Sequence, residues 1–144
     1  MSRKPIAVAS DHAGYDLKTM LSRELAEMGY EVLDLGTDGP QSVDYPDFAD
    51  ALARAVRAGE AERGVLICGT GIGIAMAANR HPGIRAAVCW DETSARLTRE
   101  HNDANVMALG ARLLGPEVAK DCLRTFLSTE FAGGRHAGRV AKLG

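Results

Sequence analysis

The run Gly64-Val65-Leu66-Ile67-Cys68-Gly69-Thr70-Gly71-Ile72-Gly73 governs the architecture, because an apolar strand there delivers one thiol to the mouth of a glycine loop. Val65, Leu66 and Ile67 form a continuous apolar stretch, the pattern of a strand buried on both faces of a parallel sheet. Gly69, Gly71 and Gly73 remove the side chains that would hold a ligand off the backbone. They leave N–H groups free for an anion or a developing oxyanion, and Thr70 adds a hydroxyl. The same residues also describe a plain strand-to-helix turn with a small buried cysteine before it. The flanking sequence has to separate the two readings.

On both sides of this run, strand and helix patterns alternate. Ile6 to Ala9 read as a first strand, and Leu17, Met20, Leu21, Leu25 and Met28 recur at helical spacing until Gly29 ends the pattern. Val32, Leu33 and Leu35 make a second strand. A polar loop from Gly36 to Asp44 leads to Tyr45-Pro46-Asp47, where Pro46 suits the opening of a helix that buries Phe48, Leu52 and Val56. The third strand, Val65 to Cys68, is followed by a small-residue helix through Ile74, Ala75, Ala77 and Ala78. Ile84 to Cys89 predict a fourth strand, Asp91 to about Asn102 a helix, Val106 to Leu109 a fifth strand, and Pro116 to about Phe131 a last helix. Residues from about 132 to 144 form a C-terminal arm with no core pattern of its own.

This order predicts an α/β fold: a three-layer, doubly wound, Rossmann-like five-stranded parallel sheet whose strand order begins 2-1-3. In that order the winding reverses between strands one and three. Ser10-Asp11-His12-Ala13-Gly14 and Cys68 to Gly73 then face each other across one cleft at the carboxyl ends of the strands. Two chemically loaded loops on one cleft favour a functional Cys68 over a structural one.

Composition narrows the classes. The chain has 144 residues with 46% hydrophobic content, enough for one well-buried core, and residues 1–144 read as a single domain. A net charge of -2 offers no basic field for nucleic acid or an anionic membrane. Cys68, Cys89 and Cys122 are odd in number, lack Cys-x-x-Cys spacing, and follow an opening Met-Ser-Arg-Lys-Pro without an apolar leader, which predicts reduced thiols in the cytoplasm. No apolar run approaches the roughly 20 residues of a membrane span.

Rival uses of a glycine loop fail on spacing. A dinucleotide fingerprint belongs after the first strand, yet that turn reads Asp11-His12-Ala13-Gly14, and the loop after the third strand runs G-x-G-x-G. A phosphate-transfer loop ends in Gly-Lys-Ser or Gly-Lys-Thr, where this chain has Ile74 and Ala75. His12, His81, His101 and His136 are scattered without ligand spacing, so a metal-free, cofactor-free site is expected. What remains is a thiol beside oxyanion donors, a set suited to taking a proton next to a carbonyl while the loop stabilises an enediolate.

Ser10-Asp11-His12-Ala13-Gly14, Asp44-Tyr45-Pro46, Cys68 to Gly73, His101-Asn102-Asp103-Ala104-Asn105 and Gly133-Gly134-Arg135-His136-x-x-Arg139 occur in this order. Together they resemble the sugar-phosphate isomerase family of ribose-5-phosphate isomerase B and the galactose-6-phosphate isomerase subunits, from about Ile6 to Val140. The resemblance implies an aldose-ketose isomerase that works through a cis-enediol without metal, as a homodimer or a pair of dimers with sites shared between subunits. For this chain it implies interconversion of ribose 5-phosphate and ribulose 5-phosphate in the pentose phosphate pathway. It also implies Cys68 as the base, with Thr70 and the amides of Gly69, Gly71, Ile72 and Gly73 holding the enediolate. His101 would open the sugar ring with help from Asp11, and His12, Arg135 and Arg139 would clamp the phosphate. Asn102, Arg112 and Tyr45 match further substrate contacts. One branch of the family lacks the cysteine and has a glutamate four positions later; Cys68 and Ile72 align this chain with the cysteine branch.

Other readings stay open on the residues alone. Asp11 suits a helix cap, His101 at a helix C-terminus suits a dipole contact, and an Arg-rich end suits a solvated tail. Cys89 and Cys122 belong in the core. An isomerase of allose 6-phosphate, galactose 6-phosphate or a tetrose phosphate, or a non-catalytic phosphosugar-binding module, would use the same loops.

Overall fold

The computed structural model describes residues 3–144. Its strands are β1 (Ile6–Ser10), β2 (Val32–Asp34), β3 (Arg63–Cys68), β4 (Ala86–Val88) and β5 (Val106–Gly110). All pair in parallel, in the order β2-β1-β3-β5-β4, so the winding does reverse between β1 and β3. The helices are α1 (Tyr15–Glu27), α2 (Tyr45–Arg57), α3 (Ile72–Ala78), α4 (Glu92–Asn102), α5 (Pro116–Ser128) and α6 (Arg135–Ala141), with a short 3-10 turn over His12–Gly14 before α1.

Because β1, β3 and β5 are buried on both faces, each face carries its own apolar layer. Val8, Ile67, Met107 and Leu109 meet Leu21 and Leu25 of α1, Ala95 of α4, and Leu123 and Phe126 of α5. Ala7, Ala9, Leu66, Cys68 and Ala108 meet Ala49 and Leu52 of α2 and Ile74 and Ala78 of α3. Small residues let α2 approach closely: a methyl on Gly64 would lie 2.5 Å from Leu52 Cδ2. Cys89 and Cys122 are fully enclosed in the first layer, as their apolar settings predict.

Three features depart from the sequence reading. The fourth strand is shorter than Ile84 to Cys89, because the Arg85 N–H is taken by the Asn105 side chain at 2.8 Å instead of a strand partner. The last long helix stops at Ser128 instead of Phe131, where Arg99 Nε holds the Thr129 carbonyl at 3.1 Å and Thr129 turns extended. The C-terminal arm contains a helix, α6, although none of its residues is buried. Gly133 and Gly134, at φ +68 and +57, supply the turn that starts it. Among the described residues, no helix is long and apolar enough to cross a membrane.

Candidate active site

Cys68 is the last residue of β3, and only 5% of it is exposed. The chain then leaves the sheet through Gly69 and Thr70 and enters α3 at Gly71, whose φ of +79 favours glycine. That left-handed residue turns its N–H back onto Cys68 Sγ at 3.2 Å. Thr70 is exposed, and its Oγ1 accepts the Ile72 N–H at 3.2 Å, which orders the rest of the loop.

The β1 loop is stitched to the same place. The Asp11 N–H donates to the Ile67 carbonyl at 3.2 Å, and Asp11 Oδ1 accepts the Gly14 N–H at 3.1 Å. Asp11, 7% exposed, therefore caps the 3-10 turn and still lies beside the end of β3. Gly14 makes this approach possible, since a methyl there would lie 2.6 Å from the Ile67 carbonyl oxygen. His12 Nδ1 accepts the Val43 N–H at 3.1 Å, so the ring proton resides on Nε2, which is free to donate to a ligand.

Two further side chains close on the glycine loop. The Ala111 and Arg112 N–H groups donate to the Cys68 and Gly69 carbonyls, both at 2.9 Å, clipping the turn after β5 to the loop after β3. Arg112 lies over Gly69, with Nη1 3.1 Å from where a methyl on Gly69 would be. The Tyr45 ring covers Gly73 in the same way, at 2.7 Å. Cys68, Thr70, Asp11, His12, Tyr45, Arg112 and the glycines thus form one notch at the carboxyl edge of the sheet.

The remaining residues lie elsewhere. α4 runs back from the carboxyl edge and ends at Asn102, just before β5 begins, so His101 and Asn102 sit at the amino edge. Four residue steps of β5, about 13 Å, separate that edge from the level of Cys68. α6 packs beside the end of α4, where His101, Asn102, His136 and Arg139 line a cavity of about 260 Å³. The His101 and His136 rings stack, with centroids 4.4 Å apart. Burial, together with the neighbouring His101, Arg135 and Arg139, holds His136 below the usual histidine range. The residues singled out in the sequence therefore fall in two clusters at opposite edges of the sheet. Among the described residues, no three His, Cys, Asp or Glu side chains gather closely enough to hold a metal ion.

The sequence reading missed several contributors. Gly110 admits Thr70, whose carbonyl oxygen would be 2.6 Å from a methyl there. Lys18, 2% exposed, reaches Asp34 Oδ1 at 2.6 Å, and the same oxygen accepts the Gly36 N–H at 3.0 Å, bracing the loop that carries Val43 to His12. No local pattern announces these contacts, which join residues far apart in the chain.

Residues 6–143 match the family model for ribose/galactose isomerases. Over 137 residues the chain is 48% identical to ribose-5-phosphate isomerase B of Escherichia coli, covering 95% of this chain and 92% of that protein. It is 45% identical over 141 residues to D-erythrulose-4-phosphate isomerase of Pectobacterium atrosepticum, covering 96% and 92%. Its structure is similar to that of ribose-5-phosphate isomerase B from Clostridium thermocellum, with a TM-score of 0.96 and 56% identity over 97% of this chain and 95% of that one.

Proposed function

The chain belongs to the ribose/galactose isomerase family and is an isomerase, and we propose that it interconverts ribose 5-phosphate and ribulose 5-phosphate through a cis-enediol, with Cys68 as the base and no metal. The observation that carries this reading is the Gly71 N–H aimed at Cys68 Sγ at the mouth of the glycine loop. In the open aldose, the Cys68 thiolate takes the C2 proton while negative charge moves to the carbonyl oxygen on C1. The N–H groups from Gly69 to Gly73 stabilise that oxygen. The proton then returns to C1, the O2 proton passes to O1, and C2 becomes the carbonyl carbon. Before this, His101 protonates the ring oxygen O4 as the C1–O4 bond breaks, while Asp11 takes the O1 proton and C1 becomes the carbonyl carbon. His12 through Nε2, Arg135 and Arg139 hold the phosphate dianion, while Asn102, Arg112 and Tyr45 line the sugar.

Since His101, Asn102 and Arg139 stand at the far edge from Cys68 in the same chain, the reading requires a homodimer in which each notch is completed by the partner. Exposed Ile72, Met76 and Trp90 support such an apolar contact. A cytoplasmic enzyme with free thiols fits the same picture.

The test is a Cys68→Ala variant assayed with ribose 5-phosphate. Turnover and exchange of solvent deuterium into the sugar should both vanish while phosphosugar binding persists; preserved turnover would remove Cys68 from its role. Added chelator should leave the rate unchanged, and a loss restored by metal would contradict the metal-free chemistry. A tetrose phosphate substrate is the second reading, favoured by the likeness to the erythrulose-phosphate enzyme. A panel of four-, five- and six-carbon phosphosugars ranks them by kcat/KM.

A further inference from the structure

We propose that His136 is a positioning residue for ring opening: by stacking on His101 it fixes the orientation in which that imidazole meets the ring oxygen of the sugar. The inference rests on the reading of His101 as the ring-opening group.

His101 lies exposed on the last turn of α4, and no hydrogen bond to its ring is present among the described residues. Left to itself, such a side chain would sample several rotamers. The His136 ring lies flat against it, centroids 4.4 Å apart and planes 16° from parallel, a stacked arrangement favourable for aromatic rings. The segment bearing His136 is itself tied to α4 next to His101. The Ala132 N–H donates to the Glu100 carbonyl at 3.1 Å, Gly133 and Gly134 turn the chain in left-handed conformations, and the His136 N–H closes the turn on the Gly133 carbonyl at 3.1 Å. The second ring is thus anchored through backbone at both ends of a short reach.

The charges nearby fit this role. Burial, His101, Arg135 and Arg139 all disfavour a proton on His136, against a weaker opposing pull from Glu100. An uncharged His136 presents a neutral ring face to His101, so the stack carries no repulsion from its own side.

Ribose 5-phosphate enters as a furanose and needs ring opening. Ribulose 5-phosphate is acyclic, because its C5 oxygen carries the phosphate, so deuterium exchange at its C1 needs Cys68 but no ring chemistry. His136→Ala should lower kcat for ribose 5-phosphate by about 10- to 100-fold, as expected for a group displaced by about 1 Å. It should leave KM and the exchange rate on ribulose 5-phosphate within about threefold. His136→Phe, which keeps a stacking face, should stay within about threefold of the parent on both. The proposal is overturned if exchange falls in parallel with turnover, if His136→Ala matches the parent, or if His136→Phe is as slow as His136→Ala. A His101→Ala arm separates the two levels. If that variant opens ribose 5-phosphate normally, the role of His101 itself is wrong; if it shows the split and His136→Ala does not, only the positioning role of His136 fails.

Discussion

Gly71→Ala tests the geometry of the thiol loop most directly, and Gly59→Ala provides its matched control. Both glycines have nearly the same backbone, φ +79 and +77. A methyl at Gly59 would have only the flexible Lys4 Nζ near it, at 3.5 Å. A methyl at Gly71 would lie 2.8 Å from the Leu109 carbonyl carbon and 3.1 Å from Gly110 N, both backbone atoms of a buried strand that cannot yield. Restoring ordinary contact at 3.4 Å moves the loop off β5 by about 0.6 Å. Left-handed strain alone costs about 1 kcal/mol, so Gly59→Ala should lose that amount, about 2–4 °C in Tm, and keep full activity. Gly71→Ala adds the clash and should lose about 2–4 kcal/mol in urea unfolding. The same displacement pulls the Gly71 N–H from its 3.2 Å contact with Cys68 Sγ and disturbs the neighbouring donors. Loss of one preorganised donor lowers kcat by about 100- to 1000-fold. If Gly71→Ala unfolds no more easily than Gly59→Ala and keeps kcat/KM within about threefold, the close approach to β5 does not shape the site.

Asp34→Ala should destabilise more than Lys18→Met. The first strands an ammonium that is 2% exposed, at about 3 kcal/mol, whereas the second frees a carboxylate that is half in water and costs about 1 kcal/mol; urea titrations giving the reverse order would refute the asymmetry. A thiol reagent at pH 8 should titrate Cys68 alone in the native chain and three thiols after denaturation, because burial pushes Cys89 up to about 12 and Cys122 to about 11. The folded chain keeps those two protons above pH 9 while the unfolded chain releases them, so stability should be level below pH 9 on their account and fall as pH climbs towards 12. Mixing Cys68→Ala with Arg139→Ala subunits under conditions that exchange them should restore about a quarter of parental activity, since half the dimers then hold one intact shared site; no recovery would mean that each chain completes its own site.

The strand and helix order was legible because buried parallel strands read as unbroken apolar runs and the crossover helices as 3.6-residue stripes. The reversal between β1 and β3 followed from that order, and with it the meeting of Asp11, His12 and Cys68 in one notch. What was not legible depends on contacts between distant residues. The fourth strand looked longer because Ile84 and Arg85 carry a strand-like pattern, but a side chain from residue 105 takes the Arg85 N–H. The helix in the arm has no buried face and so left no periodic trace. The bond from Val43 to His12 spans a polar loop whose sequence gives no register. The distance from His101 to Cys68 was implicit in the topology, because a crossover helix must end at the edge where the next strand begins.

That separation puts the two proposed half-sites in parts of the fold with different tolerance for change. The half proposed for proton transfer rests on strand ends and on glycines where an added methyl would lie 2.6 to 2.8 Å from backbone, as at Gly14, Gly71 and Gly110, so nearly any substitution there displaces a core strand. The half proposed to hold the sugar rests on α6, none of whose residues is buried, and on the exposed last turn of α4. Changes in α6 cost the fold little, yet they move the guanidinium groups assigned to the phosphate relative to a fixed thiol. On the proposed reading, sugar length is then read at the α4–α6 edge, by how far Arg135 and Arg139 stand from the notch, while the chemistry proposed for Cys68 is the same for every substrate the cleft admits.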